Sequence, residues 1–339
     1  MDQSAPTPRD LGFAMPGEFS PHLRTWMMWP CRASVWPDMM GTCRNYADVA
    51  HAIRQYEPVT MAVRPQDIAQ ARSMLGSDIE LAEIDMDDSW ARDAGPNFIV
   101  DGKGNRAAAL FQFNAWGGKY SPFDKDGRFS GEVASIAGTA TFSSKLVAEG
   151  GGITVDGEGT LITTQSCFPN ANRNPHWNQQ TISDELEAML GVKKVIWLPG
   201  NPLEDETDGH VDGIAVFARP GLIVAEEIED PDDPWHEISL RNLAALAGQT
   251  DASGRELKIV TMPAADAKCA TSDRFCLSYV NFYICNGGVI APKYGLPSDY
   301  RAREILQGLF PDRTISMVNI LDIAGGGGGI HCITQQEPA

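Results

Sequence analysis

Short apolar runs alternate along the chain with longer amphipathic stretches, a pattern typical of mixed strands and helices. The short runs predict strands at Thr25–Trp29, Val59–Val63, Phe98–Val100, Ala107–Phe111, Ile153–Val155, Thr160–Thr164, Lys194–Leu198, Gly213–Phe217, Leu222–Val224, Lys258–Thr261, Asn281–Ile284 and Gly288–Ala291. The amphipathic stretches predict helices at Tyr46–Gln55, Pro65–Leu75, Gln180–Leu190, Trp235–Ala247 and Asp299–Leu309. Their alternation predicts an α/β fold.

Two segments have the residue pattern of β-hairpins. Asp101-Gly102 and Asp156-Gly157 each lie between apolar runs, and Asp-Gly suits turns that need a positive φ. A glycine pair followed by an apolar run recurs at Gly151–Ile153, Gly287–Val289 and Gly328–Ile330. The spacing is irregular, so the pattern indicates loosely repeated strand-rich modules around a centre.

The domain organisation follows from the length and from the lack of an internal linker. The chain has 339 residues, and its biased segments are a proline-rich stretch over residues 1–20 and the run Gly325–Gly329. We therefore expect a single catalytic domain over residues 1–339, with residues 1–20 as an N-terminal arm.

Charge and cysteine content narrow the class of function. The net charge of −18 argues against nucleic acid as a partner and favours a cationic substrate, although acidity also serves solubility alone. The seven cysteines are scattered and include no C-x-x-C pair, so we expect no metal site and a reducing, cytoplasmic location. The N-terminus has no secretory leader, and no apolar run reaches the roughly 20 residues of a membrane helix.

The string TDGHVDG, residues 207–213, contains a histidine and a carboxylate at close spacing. His210 and Asp212 are two positions apart, so on a strand they would point to the same face. A histidine is the natural acid or base near neutral pH, and a carboxylate binds a cation. The alternative is a surface turn with solvated side chains.

A second string, residues 85–96, combines carboxylates with an aromatic residue. Trp90 and Asp93 are three positions apart, so a helical turn would bring them together. A carboxylate beside an aromatic face suits a planar cation, which receives paired hydrogen bonds and stacks on the ring. The alternative is an acidic turn in which Arg92 forms an internal salt bridge.

Near the C-terminus, Gly325–Gly329 lead into Ile330, His331 and Cys332. The flanking residues are apolar enough to be buried, so the glycines indicate close approach of the backbone to another group. A cysteine after such a loop can be an activated thiolate, or a buried structural residue. Because adjacent residues of an extended chain face opposite ways, we expect His331 to be structural and His210 to be the acid/base.

One cysteine, one histidine and two carboxylates are the groups that thiolate attack on a guanidinium carbon requires. Asp93 and Asp212 would hold the guanidinium N–H groups and fix its carbon beside Cys332. His210 would protonate the departing ammonia and then deprotonate the water that hydrolyses the covalent intermediate. This chemistry needs no cofactor and no metal.

The chain resembles the agmatine deiminases, members of the guanidine-modifying superfamily that includes bacterial-type peptidylarginine deiminases. The matching strings run in order over nearly the full length. They are RTWMMWP (24–30), EPVTMAV (57–63), DSWARDAGP (88–96), FNAWGGKY (113–120), EGGGITVDGEGTLITT (149–164), NANRNP (170–175), TDGHVDG (207–213), YVNFYICNGGVIAP (279–292) and GGGGGIHCITQQ (325–336).

The resemblance implies a five-bladed α/β propeller, the pentein fold, with pseudo-fivefold symmetry and a central active site. It implies Cys332 as nucleophile, His210 as acid/base, and Asp93 and Asp212 as guanidinium-binding carboxylates. Trp90 matches the aromatic residue beside the substrate. Further positions that match the substrate-binding pattern are Asp208, Glu149 and Gly329. A homodimer is also implied.

Four positions depart from the family pattern: Leu23 replaces Glu, Cys31 replaces Glu, Gly213 replaces Asn and Gly329 replaces Asn. None removes a group from the reacting centre, so they bear on the far end of the substrate.

The leading prediction is hydrolysis of agmatine to N-carbamoylputrescine and ammonia. Deimination of free or peptidyl arginine is an alternative, although FNAWGG offers no basic residue for a carboxylate. An amidinotransferase would share the covalent intermediate, and a non-catalytic guanidine-binding protein would not need the intact Cys332 and His210.

Overall fold

The computed structural model describes residues 6–36, 38–204 and 206–339, so residues 1–5 of the predicted arm lie outside it. Within these ranges the strands are β1 His22–Met28, β2 Val59–Val63, β3 Glu80–Glu83, β4 Asn97–Val100, β5 Arg106–Gln112, β6 Ala140–Val147, β7 Thr154–Val155, β8 Thr160–Thr164, β9 Lys194–Leu198, β10 Ala215–Arg219, β11 Leu222–Glu227, β12 Lys258–Pro263, β13 Tyr283–Cys285, β14 Gly288–Lys293, β15 Thr314–Asn319 and β16 Thr334–Pro338.

The helices complete a mixed α/β fold. They are α1 Met39–Arg54, α2 Ile68–Leu75, α3 Ala91–Ala94, α4 Ala115–Gly118, α5 Asp126–Ile136, α6 Gln179–Leu190, α7 His236–Leu246, α8 Ser298–Leu309 and α9 Leu321–Ala324. Short 3-10 helices span Arg9–Leu11, Pro65–Asp67, Gly150–Gly152, Val211–Gly213 and Ala267–Cys269. Among the described residues, no helix has the length and apolar character needed to cross a membrane.

The described strands form five sheets that share one plan. In four sheets an antiparallel hairpin leads through a helix to a third strand, which pairs in parallel with the second strand of the hairpin. Parallel pairing needs such a crossover, and α5, α6, α7 and α8 supply it. These sheets are β4-β5-β6, β7-β8-β9, β10-β11-β12 and β13-β14-β15.

The fifth sheet joins the two ends of the chain. Its order is β16-β1-β2-β3, with β16 antiparallel to β1 and α1 crossing over to the parallel strand β2. The arm is packed as well, since Ala14 bridges Val100 and Met15 N donates to Leu190 O at 2.9 Å. Both ends of the chain therefore pack within the fold. The segment that carries Cys332 leads directly into β16, which pairs with β1.

Both predicted hairpins are confirmed. Asp101 and Asp156 each accept hydrogen bonds from backbone N–H groups across the turn, and Gly102 and Gly157 have φ of 69° and 71°. A neighbouring backbone explains why a side chain is excluded at Gly157, because a Cβ there would lie 2.7 Å from Gly17 N. The Asp-Gly signal was sufficient because both turns are local.

The structure corrects several predicted elements. His210 and Asp212 do not lie on a strand, because Asp212 lies in the 3-10 helix Val211–Gly213. The predicted strand Gly213–Phe217 begins at Ala215. The predicted strand Asn281–Ile284 begins at Tyr283, and Pro65–Leu75 is divided into a 3-10 helix and α2. The elements that sequence patterns missed are β3, β6, β15, β16, α4, α5 and α9.

Candidate active site

The candidate site is built from corresponding positions of the five sheets. Each sheet contributes the segment just before the edge strand of its antiparallel pair. These segments carry Asp93 before β4, Gly151 before β7, His210 and Asp212 before β10, Asn281 before β13, and Cys332 before β16. Side chains far apart in sequence therefore converge.

Cys332 lies in the turn between α9 and β16 and is only 7% exposed. Asn281 Nδ2 donates to its Sγ at 3.3 Å, and the thiol lies 3.6 Å from Asp212 Oδ2. Asn281 Oδ1 also accepts from the backbone N–H of Cys332 at 3.3 Å. Asn281 therefore fixes both the backbone and the sulfur of this residue.

The glycine run allows close approach of the backbone, as predicted. A Cβ on Gly328 would lie 2.3 Å from the ring of Trp90, and one on Gly329 would lie 2.4 Å from Asn281 Oδ1. Gly327 has φ of 101°, in the left-handed region that favours glycine. The run therefore lets Trp90 and Asn281 pack directly under the loop that presents Cys332.

Asp93 is held by α3 and by two donors. Trp116 Nε1 donates to Oδ2 at 2.9 Å, and Gly151 N donates to Oδ1 at 3.0 Å. Trp90 begins α3, so the predicted helical turn between Trp90 and Asp93 is confirmed. The pKa of the Asp93 carboxyl is raised above its ordinary value. Burial and the charge of Asp212 raise it by more than the charge of His210 lowers it.

Trp116 reaches Asp93 from a strained turn. Ala115 and Trp116 have φ of 55° and 54°, and Gly117 and Gly118 are also left-handed. Residues with a Cβ disfavour this conformation by about 1 kcal/mol or more each. The side chain of Asn114 stabilises the turn by accepting from Gly117 N at 2.8 Å. Strain retained at such a position is typical of functional sites.

His210 is buried between two carboxylates. Its Nδ1 lies 3.7 Å from Asp93 Oδ1, and its Nε2 lies 3.5 Å from Glu149 Oε2. Burial opposes the charged imidazolium, but Asp93, Cys167 and Glu149 outweigh it and raise the pKa of His210 well above the ordinary value. Glu149 is itself oriented by Arg173 Nε, at 3.0 Å.

Gly151 marks the point where the reacting groups meet. A Cβ on this residue would lie 2.5 Å from His210 Nδ1, 2.8 Å from Asp93 Oδ1 and 3.1 Å from Asp212 Oδ2. The three side chains therefore surround one small space, next to the sulfur that Asp212 approaches. A planar cation bound between the two carboxylates would have its carbon beside Cys332.

His331 contacts Asp212 and not the neighbouring thiol. Its Nδ1 lies 2.8 Å from Asp212 Oδ2, and its Nε2 lies 2.9 Å from Glu18 Oε2. Burial raises the pKa of Asp212, but the hydrogen bond and charge of His331 lower it by more. The pKa of Asp212 therefore lies below its ordinary value. The structural role of His331 and the acid/base role of His210 stay predictions.

The thiol of Cys332 is not activated by these neighbours alone. Burial, then Asp212, then Asp93 raise its pKa well above the ordinary value. With His210 protonated and the thiol neutral, the site is prepared for a cation that would offset the two carboxylates.

The site opens into a cavity of about 300 Å³. His210, Asp212 and Cys332 lie at its inner end, and Trp90 and Asp93 line a smaller adjoining cavity. The described carboxylates along the main cavity outnumber the basic residues; they belong to Glu204, Glu206, Asp212, Glu226, Asp233 and Asp273. This charge favours a cationic ligand.

Two residues predicted to contact substrate lie further from this space. Asp208 binds Lys119 Nζ at 3.0 Å and pairs with Arg173, which leaves its carboxylate within a salt-bridge cluster. Gly329 contacts Asn281 and is absent from the described cavity lining. Their predicted substrate contacts remain predictions.

One group of side chains has the spacing of metal ligands. Donor atoms of Glu149, Cys167 and His210 lie within 4.8 Å of one another. The guanidinium of Arg173, however, donates to Glu149 and carries a charge that opposes a bound cation.

Sequence reasoning missed Trp116, Asn281 and Gly151. The FNAWGG and YVNF strings contain the first two, but their role depends on a left-handed turn and on contacts across the chain. For Gly151, the available signal was the glycine run after Glu149.

The mixed α/β fold and the buried Cys–His–carboxylate site define a cysteine-dependent enzyme of the guanidine-modifying class. The sequence profile described as Porphyromonas-type peptidyl-arginine deiminase matches residues 14–338, and the chain belongs to that family.

Several relatives cover nearly the whole chain. The agmatine deiminase of Pseudomonas fluorescens is 42% identical over 98% of this chain and 97% of that protein. The solved agmatine deiminase of Enterococcus faecalis superposes with a TM-score of 0.95 at 36% identity, covering 98% of each chain. The DDAH of Pseudomonas aeruginosa, with a TM-score of 0.52 and 12% identity over 93% of this chain and 99% of that one, shares the fold alone.

Proposed function

We propose that the chain hydrolyses agmatine to N-carbamoylputrescine and ammonia. The observation that carries this proposal is the convergence of Cys332, His210, Asp93 and Asp212 on the space beside Gly151. Two carboxylates at that point match the N–H groups of a guanidinium, and a thiol beside them matches its carbon. The agmatine deiminases of similar sequence and structure support the choice of substrate.

In the first half of the reaction, the bound guanidinium lowers the pKa of Cys332 by offsetting Asp93 and Asp212, and the thiol proton leaves to solvent. The thiolate attacks the guanidinium carbon and forms a neutral tetrahedral intermediate. Protonated His210 donates its proton to one amino group, which leaves as ammonia. A cationic thiouronium remains on the sulfur, and His210 is neutral.

In the second half, neutral His210 takes a proton from water as the oxygen attacks the same carbon. The second tetrahedral intermediate expels the Cys332 thiolate and, after losing a proton, becomes the ureido product. Glu149 and Arg173 orient His210, whereas His331 orients Asp212. Trp90 forms an aromatic wall beside the substrate.

The cavity argues against a substrate with a carboxylate at its far end. Arg274 lines the cavity, but its guanidinium donates to Tyr120 Oη at 2.8 Å and to Val35 O at 3.0 Å. The other charged side chains that line the cavity are mainly acidic. An arginine carboxylate would be repelled there, whereas the amine of agmatine would be attracted.

We also propose that the five sheets are the blades of an α/β propeller within a single domain over residues 1–339. The five segments that carry the site support this arrangement, because their contacts run in a ring. Asp93 contacts Gly151, Gly151 lies against His210, and Asn281 contacts both Asp212 and Cys332. Arg92 N donates to Cys332 O at 3.1 Å and completes the ring.

An ammonia-release assay tests the proposed function. Agmatine, arginine, blocked arginine and shorter or longer guanidinoalkylamines are compared without any added amine acceptor. We expect agmatine to be the fastest, and Cys332→Ala to lose ureido product while keeping the fold. The matched control Cys43→Ala, in the core side of α1, should retain turnover. Faster turnover of arginine, or a strict need for an amine acceptor, would remove the proposal.

A further inference from the structure

The active-site cavity continues past the reacting centre because residue 213 has no side chain. Gly213 follows Asp212 directly and lines the cavity. A Cβ placed on it would meet no atom of the described residues within 4 Å. The wall of the same cavity includes Glu226, Ile228 and Trp235, and we call this part of the cavity the Glu226 arm.

Glu226 has an incompletely satisfied carboxyl group. Its Oε1 is enclosed by protein and has no hydrogen-bond partner among the described residues. Burial raises the pKa of Glu226 to about 7, the Ser278 hydroxyl opposes this, and Asp233 adds to it. A carboxyl in such surroundings is costly to ionise without a cation nearby, so an ammonium group that approaches Glu226 from the cavity would stabilise its charged form.

The backbone places Glu226 close to the reacting centre. Glu226 N donates to Ile214 O at 2.8 Å, and Ser278 Oγ donates to Gly213 O at 3.0 Å. Paired strands bring opposing Cα atoms to about 5 Å, so Glu226 lies across from the residues that follow Asp212. A short alkyl chain anchored at Cys332 is therefore long enough to enter the Glu226 arm.

Of the other carboxylates of the cavity wall, Asp212 is paired with His331, Asp273 is exposed to solvent, and Glu204, Glu206 and Asp233 have protein partners. Glu206 Oε2 accepts from Tyr120 Oη at 2.5 Å, and Asp233 Oδ1 accepts from Trp235 N at 2.8 Å. Glu204 accepts from the backbone N–H groups of Thr207 and Gly209. Among the described carboxylates of this cavity, Glu226 is therefore the one that has an enclosed oxygen without a hydrogen-bond partner.

We propose that Glu226 binds the ammonium group at the far end of the guanidine substrate, and that Gly213 provides the space through which the substrate reaches it. The inference rests on the proposed deimination and deepens it. It defines the substrate class as guanidines with a second cationic group on a short, flexible chain. It also makes Glu226 a specificity residue separate from the reacting centre.

The test combines a residue change with a substrate change. Wild type and Glu226→Gln are each assayed with agmatine and with butylguanidine, which lacks the amine. We expect Glu226→Gln to lower kcat/KM for agmatine about 10-fold to 100-fold, the effect of losing a hydrogen bond between charged groups. For butylguanidine the change should stay within about 2-fold, because that substrate offers no ammonium group.

Three controls separate the possible failures. Glu227→Gln changes the adjacent residue of β11, which is absent from the described cavity lining and points to the opposite face, so both substrates should be unaffected. Glu226→Asp keeps the charge and should retain part of the preference for agmatine. Gly213→Val fills the arm and should raise KM for agmatine more than for guanidines with a shorter chain.

An equal loss for both substrates in folded Glu226→Gln, or no loss for either, would overturn the proposal. Failure of wild type to release ammonia from either substrate would instead remove the proposed function itself. Thermal unfolding of each variant establishes that the comparison is made on folded protein.

Discussion

His331 Nδ1 lies 2.8 Å from Asp212 Oδ2, although His331 precedes Cys332 in the chain. The other ring nitrogen lies 2.9 Å from Glu18 Oε2. Burial and Arg92 oppose protonation, but Glu18 and Asp212 outweigh them and raise the pKa of His331. The imidazole of His331 thus links the N-terminal arm to a carboxylate of the site, so the arm contributes to the geometry of Asp212.

Removing the charge of Glu18 should destabilise the protein. Burial raises the pKa of Glu18, but His331 and Arg92 dominate and lower it to about 2 from 4.5. A shift of this size corresponds to about 3 kcal/mol. We expect Glu18→Gln to lower the free energy of unfolding by roughly this amount at pH 7, measured by urea denaturation.

The pH dependence of that loss has a defined sign. A lowered pKa of a carboxyl contributes stability that is fully present above the unfolded-state pKa, and is lost as the pH falls toward the folded-state pKa. The difference between wild type and Glu18→Gln should therefore be largest between about pH 5 and 6.5 and shrink between pH 4.5 and about 2. It should also shrink at higher pH, as His331, whose pKa Glu18 raises, loses its proton. Glu187→Gln, at an exposed pair with Arg9, should show no comparable change. A pH-independent difference would contradict the ion-pair account.

Gly151 should tolerate no side chain. In Gly151→Ala the methyl group would occupy the space between His210 and Asp93, so we expect kcat/KM to fall more than about 100-fold because the reacting groups are displaced. Gly131→Ala in α5 is the control, since a Cβ there has no described neighbour within 4 Å. That control should keep full activity and gain about 0.5–1 kcal/mol of stability. If Gly151→Ala kept its activity, the guanidinium would not bind in the space beside Gly151.

The indole of Trp116 should set the acid limb of the pH profile. Its hydrogen bond favours the ionised form of Asp93, so Trp116→Phe should raise the pKa of Asp93 further. Because protonated Asp93 cannot hold a guanidinium, the acid limb of kcat/KM should move to higher pH, with a larger loss at pH 6 than at pH 8. Trp177→Phe, which alters a half-buried tryptophan packed in a separate hydrophobic cluster, should leave the profile unchanged. A uniform loss at all pH values would indicate a packing effect alone.

The raised pKa of Cys332 predicts slow alkylation by neutral reagents. With the thiol protonated near pH 7, a neutral haloacetamide should react slowly and accelerate into the alkaline range. A cationic haloacetamidine should react at least about 10-fold faster at pH 7, because its charge offsets Asp93 and Asp212. Equal rates at neutral pH, measured by loss of activity and by mass of the Cys332 peptide, would contradict activation of the thiol by the substrate.

Local signals in the sequence predicted the parts of the fold that depend on local contacts. Asp101-Gly102 and Asp156-Gly157 specified their hairpins, and α6 follows its apolar spacing closely. Strand β16 was missed because its sequence is polar although it is buried. Its side chains find distant hydrogen-bond partners, since Gln335 donates to Pro96 O and Arg92 donates to Gln336 Oε1. Hydrogen bonds between residues so far apart in the chain cannot be predicted from local sequence patterns.

Some residues of the candidate site could also be predicted from the sequence, whereas others could not. The chemistry of a thiol, a histidine and paired carboxylates indicated Cys332, His210, Asp93 and Asp212, which the structure brings together. Trp116 was missed because its role requires a left-handed turn that residue propensities disfavour. Asn281 and Glu226 were missed because an amide or a carboxyl gains meaning only from its neighbours.

The most direct test of the central claim is mass analysis of the enzyme quenched with acid during turnover of agmatine. The account predicts an adduct with the mass of agmatine less ammonia, located on the peptide that contains Cys332 and absent from Cys332→Ala. Wild-type enzyme that releases ammonia without this adduct, combined with undiminished turnover by Cys332→Ala, would contradict the covalent mechanism.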